Sequence, residues 1–169
     1  MKSMDQYKKH IEAFNKHNVE YMIVGAFSVN FHGYIRATMD MDIWVGKSEK
    51  NLERLYASFI SLGFDKSMCK EAIKHFKDHH MIKIPLKETK IDILDSFMMK
   101  GDFDSSYKNR VTGTITGVKT HIIGMDDLIK CKKKSNRMKD LIDAKNLEAL
   151  KDPKKLNERD GDDIFSLER

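Results

Sequence analysis

The stretch RATMDMDIWVG, residues 36–46, carries two aspartates within a pattern that otherwise predicts a β-strand. In it, Asp40 and Asp42 alternate with apolar residues. Such alternation is typical of a half-buried strand, because successive side chains point to opposite faces. Asp is rare in strands, and two Asp side chains on one face repel each other. The pattern therefore indicates that something compensates the two charges.

Composition limits the kinds of protein that the 169 residues can form. The hydrophobic content of 40% is sufficient for a core, and 34% of the residues are charged. The length favours one domain, predicted at residues 1–150 and followed by a polar tail at 151–169. The net charge of +5 suits an anionic partner such as nucleic acid or a nucleoside triphosphate, although surplus lysine often serves solubility alone.

The cysteines and the lengths of the apolar runs indicate in which cellular compartment the protein is expected. Cys69 and Cys131 are far apart and form no CxxC pair, which disfavours a disulfide scaffold or a cysteine-bound metal and suits a reducing cytoplasm. No run of residues approaches the roughly 18 consecutive apolar residues of a membrane span, and the first residues lack the apolar segment of a signal peptide. The expectation is a soluble, cytoplasmic protein without a membrane partner.

Local patterns predict an α/β (α+β) fold, with a mixed β-sheet flanked by helices and with C-terminal helices, because helices alternate with strands early and hairpins follow. Helices are predicted at 5–16, at 27–32 with Gly33 after the C-terminus, and from the cap Ser48 to Gly63. Strands are predicted at 21–24 and 40–45. Beyond residue 64 the pattern favours strands, with one hairpin around KET and a second that turns at Gly117. Closing helices, either one broken helix or two successive ones, are expected from about residue 125.

A divalent cation would compensate the two aspartates. Mg²⁺ prefers hard oxygen ligands and typically takes one or two carboxylates together with substrate phosphates. Asp92, in KIDILDSF, is another charge between apolar strand residues, so neighbouring strands could present Asp40, Asp42 and Asp92 together and hold two ions about 3.5–4 Å apart. Asp95 would point to the opposite face. The alternative is a sheet edge whose solvated charges deter aggregation.

The upstream segment IVGAFSV is a candidate phosphate-binding element. It reads as a strand, a pair of small residues, and a helix start, where backbone N–H groups favour an anion. Gly25 and Ala26 would allow close approach, and the Ser28 hydroxyl could donate to phosphate. An ordinary strand-to-helix turn, with Ser28 in the first helical turn, explains the same residues without a ligand.

Together these motifs resemble a known family. An apolar strand, GA, thirteen intervening residues and DMDI are similar to the signature of the nucleotidyltransferase fold shared with DNA polymerase β. More narrowly, VGAFSVNFHGYIRATMDMDIWV resembles stand-alone bacterial nucleotidyltransferase-like proteins related to abortive-infection toxin nucleotidyltransferases. The later DLIKCKKKSNRMKDLIDAKNLEAL resembles their closing segment. The resemblance covers about residues 20–150.

The resemblance implies a Mg²⁺-dependent (or Mn²⁺-dependent) enzyme that transfers a nucleoside monophosphate from a nucleoside triphosphate to an acceptor. By the resemblance, the metal-binding and catalytic residues would be Asp40, Asp42 and Asp92, and the nucleotide would contact Gly25, Ala26, Ser28, Arg36, Thr38, Lys132 and Arg137. A solvated loop is the alternative for Arg36, and a solvated helix face is the alternative for the lysine run that contains Lys132. For Asp140 and Asp143, which lie three residues apart near Arg137 and Lys139, a helix-stabilising ion network is favoured.

One departure from the pattern bears on activity. Ala26 stands where the family has Gly or Ser, and its methyl group crowds the phosphate loop. The competing hypothesis is therefore a catalytically weak or inactive binding module that keeps the fold, as part of a toxin–antitoxin pair or another complex. The acceptor stays open between protein, RNA and a small molecule, because the signature concerns only the triphosphate half of the reaction.

Overall fold

The computed structural model describes residues 2–152, so the predicted polar tail lies outside the described residues from residue 153 onward. Within the described part, the helices are α1 (Lys2–Lys16), α2 (Gly25–Phe31), α3 (Glu49–Ser61), α4 (Lys66–His79), α5 (Ser96–Met99), α6 (Phe103–Lys108), α7 (Met125–Ser135) and α8 (Met138–Lys151). The strands are β1 (Tyr21–Val24), β2 (Met41–Val45), β3 (Met81–Pro85), β4 (Lys90–Leu94), β5 (Val111–Ile115) and β6 (Val118–Ile122).

The strands form one mixed sheet in the order β3-β4-β2-β1-β6-β5. The pairs β1–β2, β3–β4 and β5–β6 are antiparallel, whereas β2–β4 and β1–β6 are parallel. Strand β2 therefore lies in the interior of the sheet, between β1 and β4. The predicted fold class, a mixed sheet flanked by helices with closing helices at the end, is confirmed.

Two apolar clusters cover the two faces of the sheet. On one face, Ile23 and Ile43 pack with residues of α1, α3 and α4. On the other face, Val24 and Trp44 pack with residues of α7 and α8 such as Leu128. Because side chains alternate along a strand, Asp42 shares the face of Trp44, the face that α7 and α8 cover.

The capping and turn signals were reliable guides to the local structure. The Ser48 side chain accepts a hydrogen bond from the backbone N–H of Asn51 and caps α3, as predicted. Both predicted hairpins are present, and Gly117 lies in the β5–β6 turn with a φ of +78°. The closing segment forms two successive helices, α7 and α8. Among residues 2–152, no helix combines the length and apolarity that a membrane span requires.

The prediction of strands directly after residue 64 was wrong, because α4 occupies residues 66–79. Only Cys69 and Phe76 of this helix are buried, seven residues apart, so its apolar stripe is too sparse to stand out. A cap signal was present, since the Asp65 side chain accepts from the backbone N–H groups of Ser67 and Met68.

Candidate active site

Strand register brings the three predicted carboxylates together. Parallel strands β2 and β4 pair so that Asp42 lies directly opposite Asp92. Asp40 immediately precedes β2, two residues from Asp42, and therefore shares its face. On the other side of Asp42, β1 ends at Val24, so the turn that starts at Gly25 lies beside the carboxylates.

Gly25 makes room for the Asp42 side chain. Its φ is +63°, in the left-handed region that disfavours residues with a Cβ. A Cβ built on Gly25 would lie 2.0 Å from Oδ2, 2.8 Å from Cγ and 3.0 Å from Cβ of Asp42. A glycine is therefore required at this position both by the backbone conformation and by the close approach of the carboxylate.

The environment of Asp42 disfavours its charge. Burial, followed by the negative charge of Asp92, raises the pKa of Asp42 to about 6 from an ordinary value of 3.8. Lys132 and Lys90 act in the opposite direction but do not cancel the effect. In the absence of a divalent ion, ionisation of Asp42 at neutral pH therefore costs the folded protein stability relative to the unfolded chain.

This pKa leads to a prediction for Asp42→Asn in chelator-treated buffer. A raised folded-state pKa means that the native state binds the proton more tightly, so the stability it contributes is present at low pH and is lost as pH rises through about 6. Asn mimics the neutral form, so at pH 8 the variant should be more stable than wild type by up to about 3 kcal/mol, since each pKa unit is worth about 1.4 kcal/mol. Urea unfolding at pH 8 and at pH 4 measures the difference.

At pH 4 the wild-type Asp42 is already protonated, so the two proteins should then have similar free energies of unfolding. An equal gain at both pH values would show that the Asp42 charge is not the cause.

Lys90 is a member of the site that the sequence interpretation missed. Its Nζ lies 2.6 Å from Oδ2 of Asp92 and 3.4 Å from Oδ2 of Asp40. The hydrogen bond to Asp92 is the main cause that raises the pKa of Lys90. A signal was available, because Lys90 and Asp92 are two apart on one strand and such residues share a face.

The oxygen atoms of Asp40, Asp42 and Asp92 are of the kind that a hard divalent cation binds, although the three carboxylates do not surround one common point. In the part of the chain that the structure describes, no three His, Cys, Asp or Glu side chains are placed to hold one metal ion. Instead the Lys90 ammonium bridges two of the carboxylates. Yet Oδ1 of Asp92 is buried without a hydrogen-bond partner, and carboxylate oxygens are what Mg²⁺ and Mn²⁺ prefer. The chemistry of Asp40, Asp42 and Asp92 therefore suits a divalent ion, and an ion bound by all three stays a prediction.

The predicted phosphate-loop residues make local contacts. The Ser28 side chain is fully buried and its hydroxyl donates to the carbonyl of Gly25 at 2.8 Å, which favours the first-turn interpretation. Ala26 is buried at the start of the same helix. The Thr38 hydroxyl donates to the backbone carbonyl of Asp40 at 3.1 Å, at the entry to β2. Nucleotide contacts by these residues stay a prediction.

A buried ion network lies beside the carboxylates. The Lys132 ammonium, 7% exposed, lies 2.7 Å from Oδ1 of Asp140 and 2.8 Å from Oδ2 of Asp143. Arg137 and Arg36 complete the network, each 2.6 Å from one of the two carboxylates: Arg137 from Asp140 and Arg36 from Asp143. The expected ion network at Asp140 and Asp143 is present.

The composition of that network differs from the expectation in one respect. Lys132 and Arg36 take part, whereas Lys139 makes no ion pair among residues 2–152. Because Lys132 also lowers the pKa of Asp42, its positive charge reaches the candidate site as well. A contact between a nucleotide and Lys132, Arg36 or Arg137 stays a prediction.

Asp95 belongs to a different cluster. Its carboxylate caps α5 and lies 2.8 Å from Nζ of Lys47 and 2.7 Å from Nδ1 of His80. These contacts hold the pKa of Asp95 below its ordinary value even though burial alone would raise it. Asp95 is thus occupied away from the other three aspartates, in agreement with its predicted position on another face.

Comparison with known proteins finds likeness in structure and none in sequence. No family model matches the sequence, and no curated protein matches it. Among solved structures, the chain is similar to an antigenic nucleotidyltransferase-like protein from Paracoccidioides brasiliensis, with 11% sequence identity and a TM-score of 0.49. The match covers 86% of this chain and 74% of that protein.

Proposed function

We propose that this protein is a nucleotidyltransferase that depends on Mg²⁺ or Mn²⁺ and transfers a nucleoside monophosphate from a nucleoside triphosphate to an acceptor. The observation that supports the proposal most is the pairing of Asp42 with Asp92 on parallel strands, with Asp40 beside them and Gly25 against Asp42. The resemblance of residues 20–150 to the nucleotidyltransferase signature agrees with this geometry.

In the proposed reaction, an acceptor oxygen forms a bond to the α-phosphorus, the bond between that phosphorus and the α–β bridging oxygen breaks, and pyrophosphate leaves. Bound divalent ions would supply charge neutralisation for the triphosphate. Asp40, Asp42 and Asp92 would hold the ions. Asp92, whose carboxylate is carried directly opposite Asp42 on the neighbouring strand, would accept the proton of the acceptor hydroxyl. Gly25 leaves the space that the Asp42 carboxylate occupies.

The binding test uses isothermal titration calorimetry with Mn²⁺ and a non-hydrolysable nucleoside triphosphate. Wild type should bind the triphosphate in a metal-dependent manner. Asp40→Ala and Asp92→Asn should weaken metal binding by at least about 100-fold, because even residues that only support a metal ligand contribute 10–100-fold. Asp95→Asn is the matched control and should leave the metal effect intact, since Asp95 pairs with Lys47 and His80.

Two results would contradict the assignment. If no divalent ion binds wild type, the carboxylates are not a metal site and the proposed activity is wrong. If Asp95→Asn removes the metal effect and Asp92→Asn does not, the third ligand has been placed on the wrong face.

A second candidate is a module that keeps this fold for binding alone. The observation in its favour is that Lys90 pairs with both Asp40 and Asp92 and so offsets part of their charge. The partner would be another protein, as in a toxin–antitoxin pair. Incubation with labelled nucleoside triphosphates and cell lysate separates the two candidates: an enzyme transfers label and Asp42→Asn does not, whereas a binding module transfers none in either form.

A further inference from the structure

Lys90 occupies the space between two carboxylates of the candidate site. Its Nζ contacts Oδ2 of Asp92 at 2.6 Å and lies 3.4 Å from Oδ2 of Asp40. The other oxygen of Asp92 is buried and has no hydrogen-bond partner among the described residues. Lys90 thus satisfies only part of the Asp92 carboxylate.

The sheet explains why this lysine reaches both partners. Lys90 begins β4 and shares the face of Asp92 two residues later. Met41 of β2 pairs with Ile91 of β4, so Asp40 lies beside Lys90 at the same end of the two parallel strands. The bridge follows from the strand register.

The lysine is also able to leave. Its side chain is 37% exposed, and a lysine carries its charge on a flexible stem that reaches water readily. Asp92, by contrast, has a side chain only 11% exposed and is fixed within the sheet. A divalent ion that binds Asp92 would therefore displace the ammonium and leave the carboxylate in place.

We propose that Lys90 is a resident counter-cation of the carboxylate site: it pairs with Asp40 and Asp92 and offsets part of their charge when no divalent ion is bound, competes with the ion for Asp92, and moves into solvent when the ion binds. The inference rests on the proposed function, because it concerns the same site. Its consequence is that Lys90 sets the metal concentration at which the site fills.

The test is calorimetric titration of the whole chain with MnCl₂ alone, at fixed pH and ionic strength. Lys90→Met removes the ammonium, and Mn²⁺ should then bind roughly tenfold more tightly, since a unit charge about 4 Å from an ion is worth on the order of 1 kcal/mol even in water. Lys87→Met is the matched control. It removes the same charge from an exposed position in the same hairpin and should bind Mn²⁺ as wild type does.

A second readout is independent of affinity. Without metal, Lys90→Met should melt at a lower temperature than wild type, because Asp40, Asp42 and Asp92 lose a counter-charge, and Mn²⁺ should raise its Tm by more than it raises that of wild type. Lys90→Arg keeps the positive charge and should behave as wild type in both measurements. If Lys90→Met folds only when Mn²⁺ is added, that result supports the proposal.

The failures are distinguishable. If wild type and Lys90→Met bind Mn²⁺ with the same affinity, the role of Lys90 is wrong while the metal site stands. If Lys87→Met gains as much affinity as Lys90→Met, net charge explains the effect and the proposal is overturned. If neither wild type nor Lys90→Met binds Mn²⁺, the proposed function fails and this inference fails with it.

Discussion

Gly25→Ala should lower the free energy of unfolding by about 2–4 kcal/mol, because it adds left-handed strain for a residue with a Cβ to an overpacking clash. The new methyl group would lie 2.0 Å from Oδ2 and 2.8 Å from Cγ of Asp42. Rotation of the carboxylate alone cannot relieve contacts that include Cγ and Cβ, so the backbone of β2 or α2 must shift. Denaturant unfolding in chelator-treated buffer measures the loss.

Gly63→Ala is the matched control for this prediction. Gly63 also has a positive φ, +88°, but a Cβ there meets nothing within 4 Å. The control should therefore lose only the strain of the left-handed backbone, about 1 kcal/mol. Equal losses in the two variants would show that the approach of Asp42 to Gly25 adds nothing to the requirement for glycine.

The same pair of variants also reports on the site. Displacement of Asp42 should abolish the Mn²⁺-induced rise in Tm in Gly25→Ala, whereas Gly63→Ala should keep it. A Gly25→Ala protein that loses stability yet responds to Mn²⁺ as wild type does would remove Asp42 from the proposed ligand set.

Lys132→Met should destabilise the protein by about 3 kcal/mol, since removal of one partner from a buried ion pair leaves an uncompensated charge. Lys132 is 7% exposed, and the Asp140 and Asp143 side chains that it joins are 2% and 4% exposed. Arg137 and Arg36 remain as partners, which keeps the cost from being larger. Lys133→Met is the control on the same helix. Its pair with Glu148 is half exposed and should contribute less than about 1 kcal/mol.

Acid unfolding gives a second measurement on Lys132→Met. Burial alone would raise the pKa of Asp140, but hydrogen bonds from Lys132 and its other partners lower it to about 2 from 3.8. A lowered folded-state pKa contributes stability that is present above pH 4 and is lost as pH falls toward 2. Without Lys132 the pKa of Asp140 rises, so the loss should begin at a higher pH.

The variant also decides between the two roles considered for Lys132. A structural role predicts a large loss of stability, with triphosphate affinity little changed at a temperature where the variant is folded. A phosphate-binding role predicts the reverse. A variant with unchanged stability and unchanged affinity would contradict both.

Local sequence was enough to predict most of the strands and turns. The alternation of Asp40 and Asp42 with apolar residues predicted a half-buried strand, and β2 follows directly after Asp40, although helices cover both of its faces. Ser48 predicted the start of α3. These signals are local because a cap, a turn and a strand period depend on residues within a few positions of one another. The sequence pattern did not predict helix α4, because only Cys69 and Phe76 of this helix are buried.

Tertiary structure decided which charges meet. The sequence supplied Asp42 and Asp92, but their direct pairing exists because β4 joins β2 in parallel register across fifty residues of chain. The same register places Lys90 beside Asp40, and the packing of α7 against α8 directs Lys132 to Asp140. Such contacts depend on strand order and helix packing, and the spacing of apolar residues along the chain does not determine either of them. The sequence therefore determined that carboxylates would stand on a strand, and the sheet determined that a lysine would stand among them.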